Sequence, residues 1–190
     1  MPAPDRFSIR QDRRSFLLLL SLFAGFEAKA ENRRMLIHDF SNRSLTSDLG
    51  TVWRAVSDDV MGGISKADVR LDKLDDRHCL RLTGDVRLEN NGGFVQASLE
   101  LTRQGAVLDM SGFSGLRLVV RGNGERYALH LRTTDATRPW QSYRAPFIAE
   151  DTWQTIDLPF NAFVPHRLDA PFDPRRLRRL GLVAIGRAFT

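Results

Sequence analysis

One cysteine, Cys79, is all that this 190-residue chain contains. A single thiol forms no intramolecular disulfide and has no second cysteine to share a metal with. Its neighbours Leu80 and Leu82 mark it as a buried apolar thiol rather than a nucleophile. Lysine is nearly absent, since 25 of the 28 basic residues are arginine. The net charge of +5 falls to +3 beyond residue 30, because residues 1–30 hold five basic and three acidic residues. The one basic run, Arg175-Arg176-Leu177-Arg178-Arg179, has no interleaved aromatics. It reads as a solvated face or the end of a short helix, not as a nucleic-acid patch.

Catalytic and metal-binding patterns are missing too. The four histidines, His38, His78, His130 and His166, lack any ligand spacing, so no metal or cofactor is expected. There is no Gly-x-Ser-x-Gly elbow and no phosphate loop, and Gly122-Asn123-Gly124 is too short for a dinucleotide fingerprint. The acid pairs Asp58-Asp59 and Asp75-Asp76 make no catalytic dyad, because adjacent residues on a strand point to opposite faces. One loop with two acids also falls short of the oxygen count that calcium needs. No stretch sustains a 3.6-residue apolar period for three turns, and the domain reads as a non-enzyme.

Residues 1–30 have the layout of an export signal. Arg6, Arg10, Arg13 and Arg14 form a positive n-region, Phe16 to Phe26 an apolar core, and Ala28-Lys29-Ala30 a small-x-small cleavage site. This eleven-residue run is too short for an ordinary membrane span. Asp12-Arg13-Arg14-Ser15-Phe16-Leu17 resembles the twin-arginine motif, and Lys29 beside the cleavage site disfavours the general secretory route. The alternative is an ordinary signal that contains paired arginines. Either way the expectation is a periplasmic domain of residues 31–190, cleaved after Ala30.

That domain is patterned as short strands. Leu36–Phe40, Leu49–Val56, Ile64–Asp72, Cys79–Thr83, Val86–Glu89 and Phe94–Leu101 come first, with Asp75-Asp76 and Asn90-Asn91-Gly92-Gly93 as turns. Leu116, Leu118 and Val120 alternate with Arg117, Val119 and Arg121 and run through Gly122-Asn123-Gly124 into Tyr127, Leu129 and Leu131, which predicts a hairpin. Gln141–Ala149, Trp153–Leu158 and Leu180–Ile185 complete the set, and Pro174–Arg179 looks like a short helical turn. About ten strands and no real helix predict an all-β, two-sheet antiparallel sandwich.

The stretch Trp53-Arg54-Ala55-Val56-Ser57-Asp58-Asp59-Val60-Met61-Gly62-Gly63-Ile64-Ser65 organises the chain. Adjacent glycines between strands indicate positive φ or a close approach of something to the backbone, and Asp58 can close a local turn. This stretch resembles the signature of the complex I intermediate-associated protein 30 family. Leu88-Glu89-Asn90-Asn91-Gly92-Gly93-Phe94, Leu118 to Tyr127 and Trp153 to Phe160 match it further in order. The resemblance spans roughly Leu36 to Gly186.

It implies a jelly-roll sandwich like the galactose-binding domains. It also implies a non-enzymatic assembly-factor domain whose partner is a subunit of respiratory complex I. A periplasmic carbohydrate- or ligand-binding module on the same fold is the alternative, and fold alone does not choose. Export counts against carrying the assembly role over unchanged, because the mitochondrial members act on the side that corresponds to the bacterial cytoplasm. Family members usually continue past the strand corresponding to Leu180–Ile185, whereas here only Gly186 to Thr190 remain. Either the last strand is absent or the reading frame changes, and an uncovered edge or core face beside Leu180–Ile185 is expected.

Candidate binding residues follow from these motifs: Asp58, Asp59, Met61, Gly62 and Gly63 in the first loop, and Asn90, Asn91, Gly92 and Gly93 in the second. Trp140 and Tyr143 join them. Trp53 and Trp153 lie within alternating strands and are assigned to the core, while Arg138-Pro139-Trp140 is loop-like and leaves Trp140 exposed for a sugar ring.

Overall fold

The computed structural model describes residues 34–91 and 93–185. The proposed signal, Gly92 and the last five residues lie outside them. Ten strands form: β1 (Arg54–Ser57), β2 (Lys66–Leu74), β3 (Arg77–Asp85), β4 (Phe94–Glu100), β5 (Gly115–Val120), β6 (Glu125–Thr133), β7 (Ser142–Ala149), β8 (Gln154–Pro159), β9 (Val164–His166) and β10 (Leu177–Ile185). A six-stranded antiparallel sheet runs β1-β4-β10-β6-β7-β9, while β2 pairs with β3 and β5 with β8. Among the described residues no helix is long and apolar enough to cross a membrane.

Period-two alternation decides which face of the six-stranded sheet is inside. Val95, Ala97 and Leu99 of β4 pair with Ala184, Leu182 and Leu180 of β10. Leu180 and Leu182 pair in turn with Leu131 and Leu129 of β6, and Leu131 with Tyr143 of β7. Leu99, Leu129, Leu131, Tyr143 and Leu180 belong to one core, against which Leu116, Leu118, Val120 and Ile156 of the β5–β8 pair pack. A smaller core joins Val86 and Ala67 to Val95 and Ala184. Arg121 of the β5 end bridges to Asp75, and the Arg77 guanidinium lies 5.1 Å from the Trp153 ring centroid. These contacts tie the β2–β3 hairpin to the β5–β8 pair.

Four sequence-based expectations are corrected. The stretch Leu36–Phe40 is not a strand, nor is Val86–Glu89. The predicted hairpin from Leu116 to Leu131 does not form, because β5 pairs with β8 and β6 with β7 and β10. The turn itself redirects the chain. The Gly122 amide donates to the Glu150 carbonyl at 2.6 Å and the Gly124 amide to the Ala149 carbonyl at 2.8 Å, so β6 leaves alongside β7. A Cβ at Gly122 would stand 2.5 Å from that of Ala149. Lastly, Leu180–Ile185 does not face an uncovered edge. It is the body of β10, a central strand bonded to β4 on one side and β6 on the other.

Other expectations hold. Asp75 and Asp76 both have positive φ, 49° and 59°, the pattern of a primed two-residue turn joining β2 to β3. Pro174–Arg176 is one 3₁₀ turn whose Arg175 amide is capped by Asp173. Cys79, expected to be buried, is only half-buried in β3, and burial, with the Asp72 carboxylate adding to it, pushes its thiol pKa up.

Candidate functional site

The signature loop is built around a buried carboxylate. β1 ends at Ser57, and Asp58–Met61 form one 3₁₀ turn closed by Gly62 at φ 89°. The turn rotates Asp58 inward, where its exposure is 0%. Its Oδ1 accepts the Ser65 amide at 2.9 Å. Its Oδ2 accepts the Ser65 hydroxyl at 2.5 Å, the Gly93 amide at 2.5 Å and the Phe94 amide at 3.3 Å. The Ser65 hydroxyl oxygen accepts in turn the Arg87 amide at 2.9 Å. Two sequence blocks thirty-five residues apart are thereby clasped by one side chain. Burial works against the charge, but the Ser65 hydroxyl and the Gly93, Ser65 and Phe94 amides outweigh it and hold the Asp58 carboxyl below the usual carboxylate range.

Each glycine of the pair has its own reason. Gly62 carries the left-handed backbone, with open space where a Cβ would be. Gly63 is not left-handed, yet a Cβ there would sit 2.2 Å from Asp58 Oδ1. Across the clasp, Gly93 has φ 122° and Asn90 φ 57°.

Asp59 does something different from its neighbour. It is exposed, and its Oδ1 accepts the Ser57 hydroxyl at 2.8 Å and the Val60 amide at 2.9 Å. Asp58 is a long-range clasp, where the sequence suggested a local turn. Around it the loop displays apolar side chains: Val60 is 60% exposed, Met61 39%, Ile64 48% and Leu88 54%. Of the predicted residues, Asp58, Gly62, Gly63 and Gly93 thus build the loop, while Asp59 and Met61 lie on its surface. Ser65, which closes the clasp, was missed, although a serine seven residues after the aspartate was in plain view.

The aromatic pair divides. Trp140 is 41% exposed at the end of the turn before β7. Tyr143 belongs to the core, with 0% exposure. Its hydroxyl donates to the Ala170 carbonyl at 3.0 Å and burial raises its pKa. Its placement beside Trp140 in a binding surface is therefore corrected: three residues on from Trp140, in an alternating strand, Tyr143 faces inward. Trp53 is half-buried against the core and donates to His38 Nδ1 at 3.1 Å. Beside Trp140 in sequence, Gln141 lines an open polar cleft of about 580 Å³ with Thr134, Asp135, Thr137, Arg167 and Asp169.

The sequence model of the family described as complex I intermediate-associated protein 30 matches residues 38–189. No curated protein sequence matches the chain. Among solved structures, a family 11 carbohydrate-binding module of the cellulosomal cellulase Lic26A-Cel5E of Clostridium thermocellum is similar at a TM-score of 0.59. It shares 13% identity, over 81% of this chain and 86% of that one. The family 11 module from the same organism in complex with a β-1,3-1,4-mixed-linked tetrasaccharide gives 0.54 at 12% identity, over 80% and 87%. A family 30 module of the cellulase Cel9D-Cel44B of Clostridium thermocellum gives 0.51 at 18%, over 73% and 85%. At such identities the likeness is one of fold, an all-β jelly-roll sandwich.

Proposed function

The chain belongs to the complex I intermediate-associated protein 30 family, and from that premise we propose that it is a non-enzymatic binding domain of the assembly-factor kind, which docks a protein partner on its signature loop. The observation that carries this reading is the division of labour in the loop. Asp58 is sealed inside and fixes the backbone, while Val60, Met61 and Ile64 are held outside at 39–60% exposure. Apolar side chains fixed in place on a rigid loop suit a protein contact better than catalysis. Affinity capture from membranes by the native protein tests it. Respiratory subunits should be retained, and Met61→Ala should lose them.

A second reading rests on Trp140. The similar structures are carbohydrate-binding modules, and on this chain the exposed indole of Trp140 directly precedes Gln141, which lines a polar cleft. Retention of envelope glycans in the same capture, lost in Trp140→Ala, would favour it.

Either role is proposed to be exercised outside the cytoplasm. The twin-arginine-like signal should release a mature protein beginning at Glu31. Changing Arg13 and Arg14 to lysine should trap precursor inside the cell. An intact Met1 on a cytoplasmic protein would overturn export and strengthen the complex I role.

A further inference from the structure

Arg144, His166 and Arg167 gather charge of one sign at the β9 edge of the six-stranded sheet. Ser142 and Arg144 alternate on β7, where Ser142 pairs with His166 of β9 and Arg144 with His130 of β6. Period-two alternation puts these four side chains on the face away from Tyr143 and the core. Further in, that face is closed over, and His130 and Ser142 are buried. At the edge it opens. β9 is the last strand of the sheet, Val164 is exposed, and so is Arg167, which directly follows β9.

Among the described residues no carboxylate is ion-paired to any of the three cations. The Arg144 Nε donates to the Ser142 hydroxyl at 3.1 Å, which orients the guanidinium and leaves its two terminal nitrogens without a partner. The side chains of His166 and Arg167 make no hydrogen bond among the described residues. Their electrostatic neighbours are one another. Burial and then the Arg167 charge lower the pKa of Arg144, while burial, Arg144 and Arg167 lower that of His166. His130 feels Arg144 and His166 in the same sense. Arg132 of β6 directs its guanidinium elsewhere, to the carbonyls of Ala136, Arg138 and Pro139, and Asp135 is ion-paired to Arg176. Like charges held together oppose one another, and an anion among them reverses the sign of each interaction.

We infer that this corner is an oxyanion site, in which the terminal nitrogens of Arg144, the Arg167 guanidinium and the His166 ring hold a phosphate or sulfate group, free or at the end of an ester. Two guanidiniums and an imidazole carry more N–H donors and more charge than one carboxylate uses, and suit the acceptor oxygens and double charge of a phosphate. An ester has room for its body, because Arg167 also lines the polar cleft with Thr137, Gln141 and Asp169. The Gln141 amide donates to the Arg167 carbonyl at 2.9 Å, which ties the cation to the cleft wall. No residue of the signature loop takes part, so the inference is independent of the protein-partner reading.

Isothermal titration calorimetry of the full chain with sodium sulfate, inorganic phosphate, glucose 6-phosphate and neutral glucose tests it, in chloride buffers of matched ionic strength. The three anions should bind and glucose should not. Tighter binding of glucose 6-phosphate than of inorganic phosphate would identify an ester as the ligand, and equal binding the free anion. Sulfate keeps its charge between about pH 8 and pH 5, so its affinity should rise severalfold as His166 gains a proton over that range. The proton NMR titration of His166, identified by its loss in His166→Gln, should move to higher pH in sulfate. Arg167→Gln, on an exposed side chain with no partner to lose, should weaken sulfate about tenfold. It should also raise the melting temperature of the sulfate-free protein, a combination that a merely structural arginine does not give. Met61→Ala should bind sulfate as the parent does. Absence of sulfate binding at the acid end of the range would overturn the inference. So would a sulfate affinity that does not change with pH, glucose binding as tight as that of its phosphate, or Arg167→Gln binding as the parent does.

Discussion

The Asp58 carboxylate receives the Gly93 amide at 2.5 Å across thirty-five residues of chain. That bond locks the signature loop to the start of β4, so two glycine-bearing loops behave as one body. An ionised acceptor of three amides and a hydroxyl inside the protein is worth far more than a surface acid, since each hydrogen bond to a charged group contributes about 1.5–3 kcal/mol. Asp58→Asn turns an amide NH₂ toward backbone amides that can only donate, and should cost about 3 kcal/mol or more. Because the folded carboxyl titrates below the unfolded one, its contribution is complete above the unfolded pKa and is lost as pH falls through the folded value. Denaturant titrations at pH 7 and pH 3 should therefore show the parent losing more stability than the variant. Equal losses would refute the clasp.

The glycine pair separates two kinds of strain. Gly62→Ala meets no atom but must hold φ at 89°, which costs on the order of 1 kcal/mol. Gly63→Ala drives a methyl into the Asp58 carboxylate and should cost at least twice as much. Thermal melts of both variants check the order. Gly63→Ala should also resemble Asp58→Asn in its acid profile, since it disturbs the same group.

Much of this fold was legible in the sequence because a half-buried strand declares itself by alternation. Val95, Ala97, Leu99 and Leu101 point inward as their spacing indicates, and Asp75-Asp76 makes the turn expected of it. What alternation does not encode is pairing. Leu116–Val120 and Tyr127–Leu131 look like partners from their spacing, and only the Gly122 and Gly124 amides, bonded to Glu150 and Ala149, reveal that they belong to different sheets. Tyr143 was misread for a related reason: its neighbour Trp140 is in a turn, but Ser142 already begins β7. The Asp58 clasp depends on contacts seven and thirty-five residues away, beyond any local pattern.

Met61 and Asp59 provide the test in which folding and binding part company. Met61 is 39% exposed, and Asp59→Asn keeps a carbonyl oxygen to accept the Ser57 hydroxyl and Val60 amide. Both changes should stay within about 0.5 kcal/mol of the parent. Partner capture per folded molecule should nevertheless fall severalfold in Met61→Ala. A cost of ~2–5 kcal/mol for Met61→Ala, with capture unchanged, would mean the methionine plugs the core.

His130 makes a prediction over a milder pH range. Burial first, then the positive charges of Arg144 and His166, lower its pKa to about 3, against an unfolded value near 6.5. Between those values the unfolded chain binds a proton that the folded protein refuses. Stability from this site is therefore whole above about pH 6.5 and declines as pH falls toward 3, with a slope of up to ~1.4 kcal/mol per pH unit. Asp58 acts at the carboxylate end of the range. His166, whose pKa is also lowered by burial and by Arg144 and Arg167, acts in the same interval from about pH 6.5 to 4.5, so His130 is read from the difference between parent and variant. His130→Gln keeps a polar side chain of similar reach and has no proton to gain. Its denaturation midpoint should fall less than the parent's over that interval, the remaining slope coming from His166. If variant and parent decline in parallel, the acid sensitivity belongs to other groups and His130 is not held neutral by its place on the sheet.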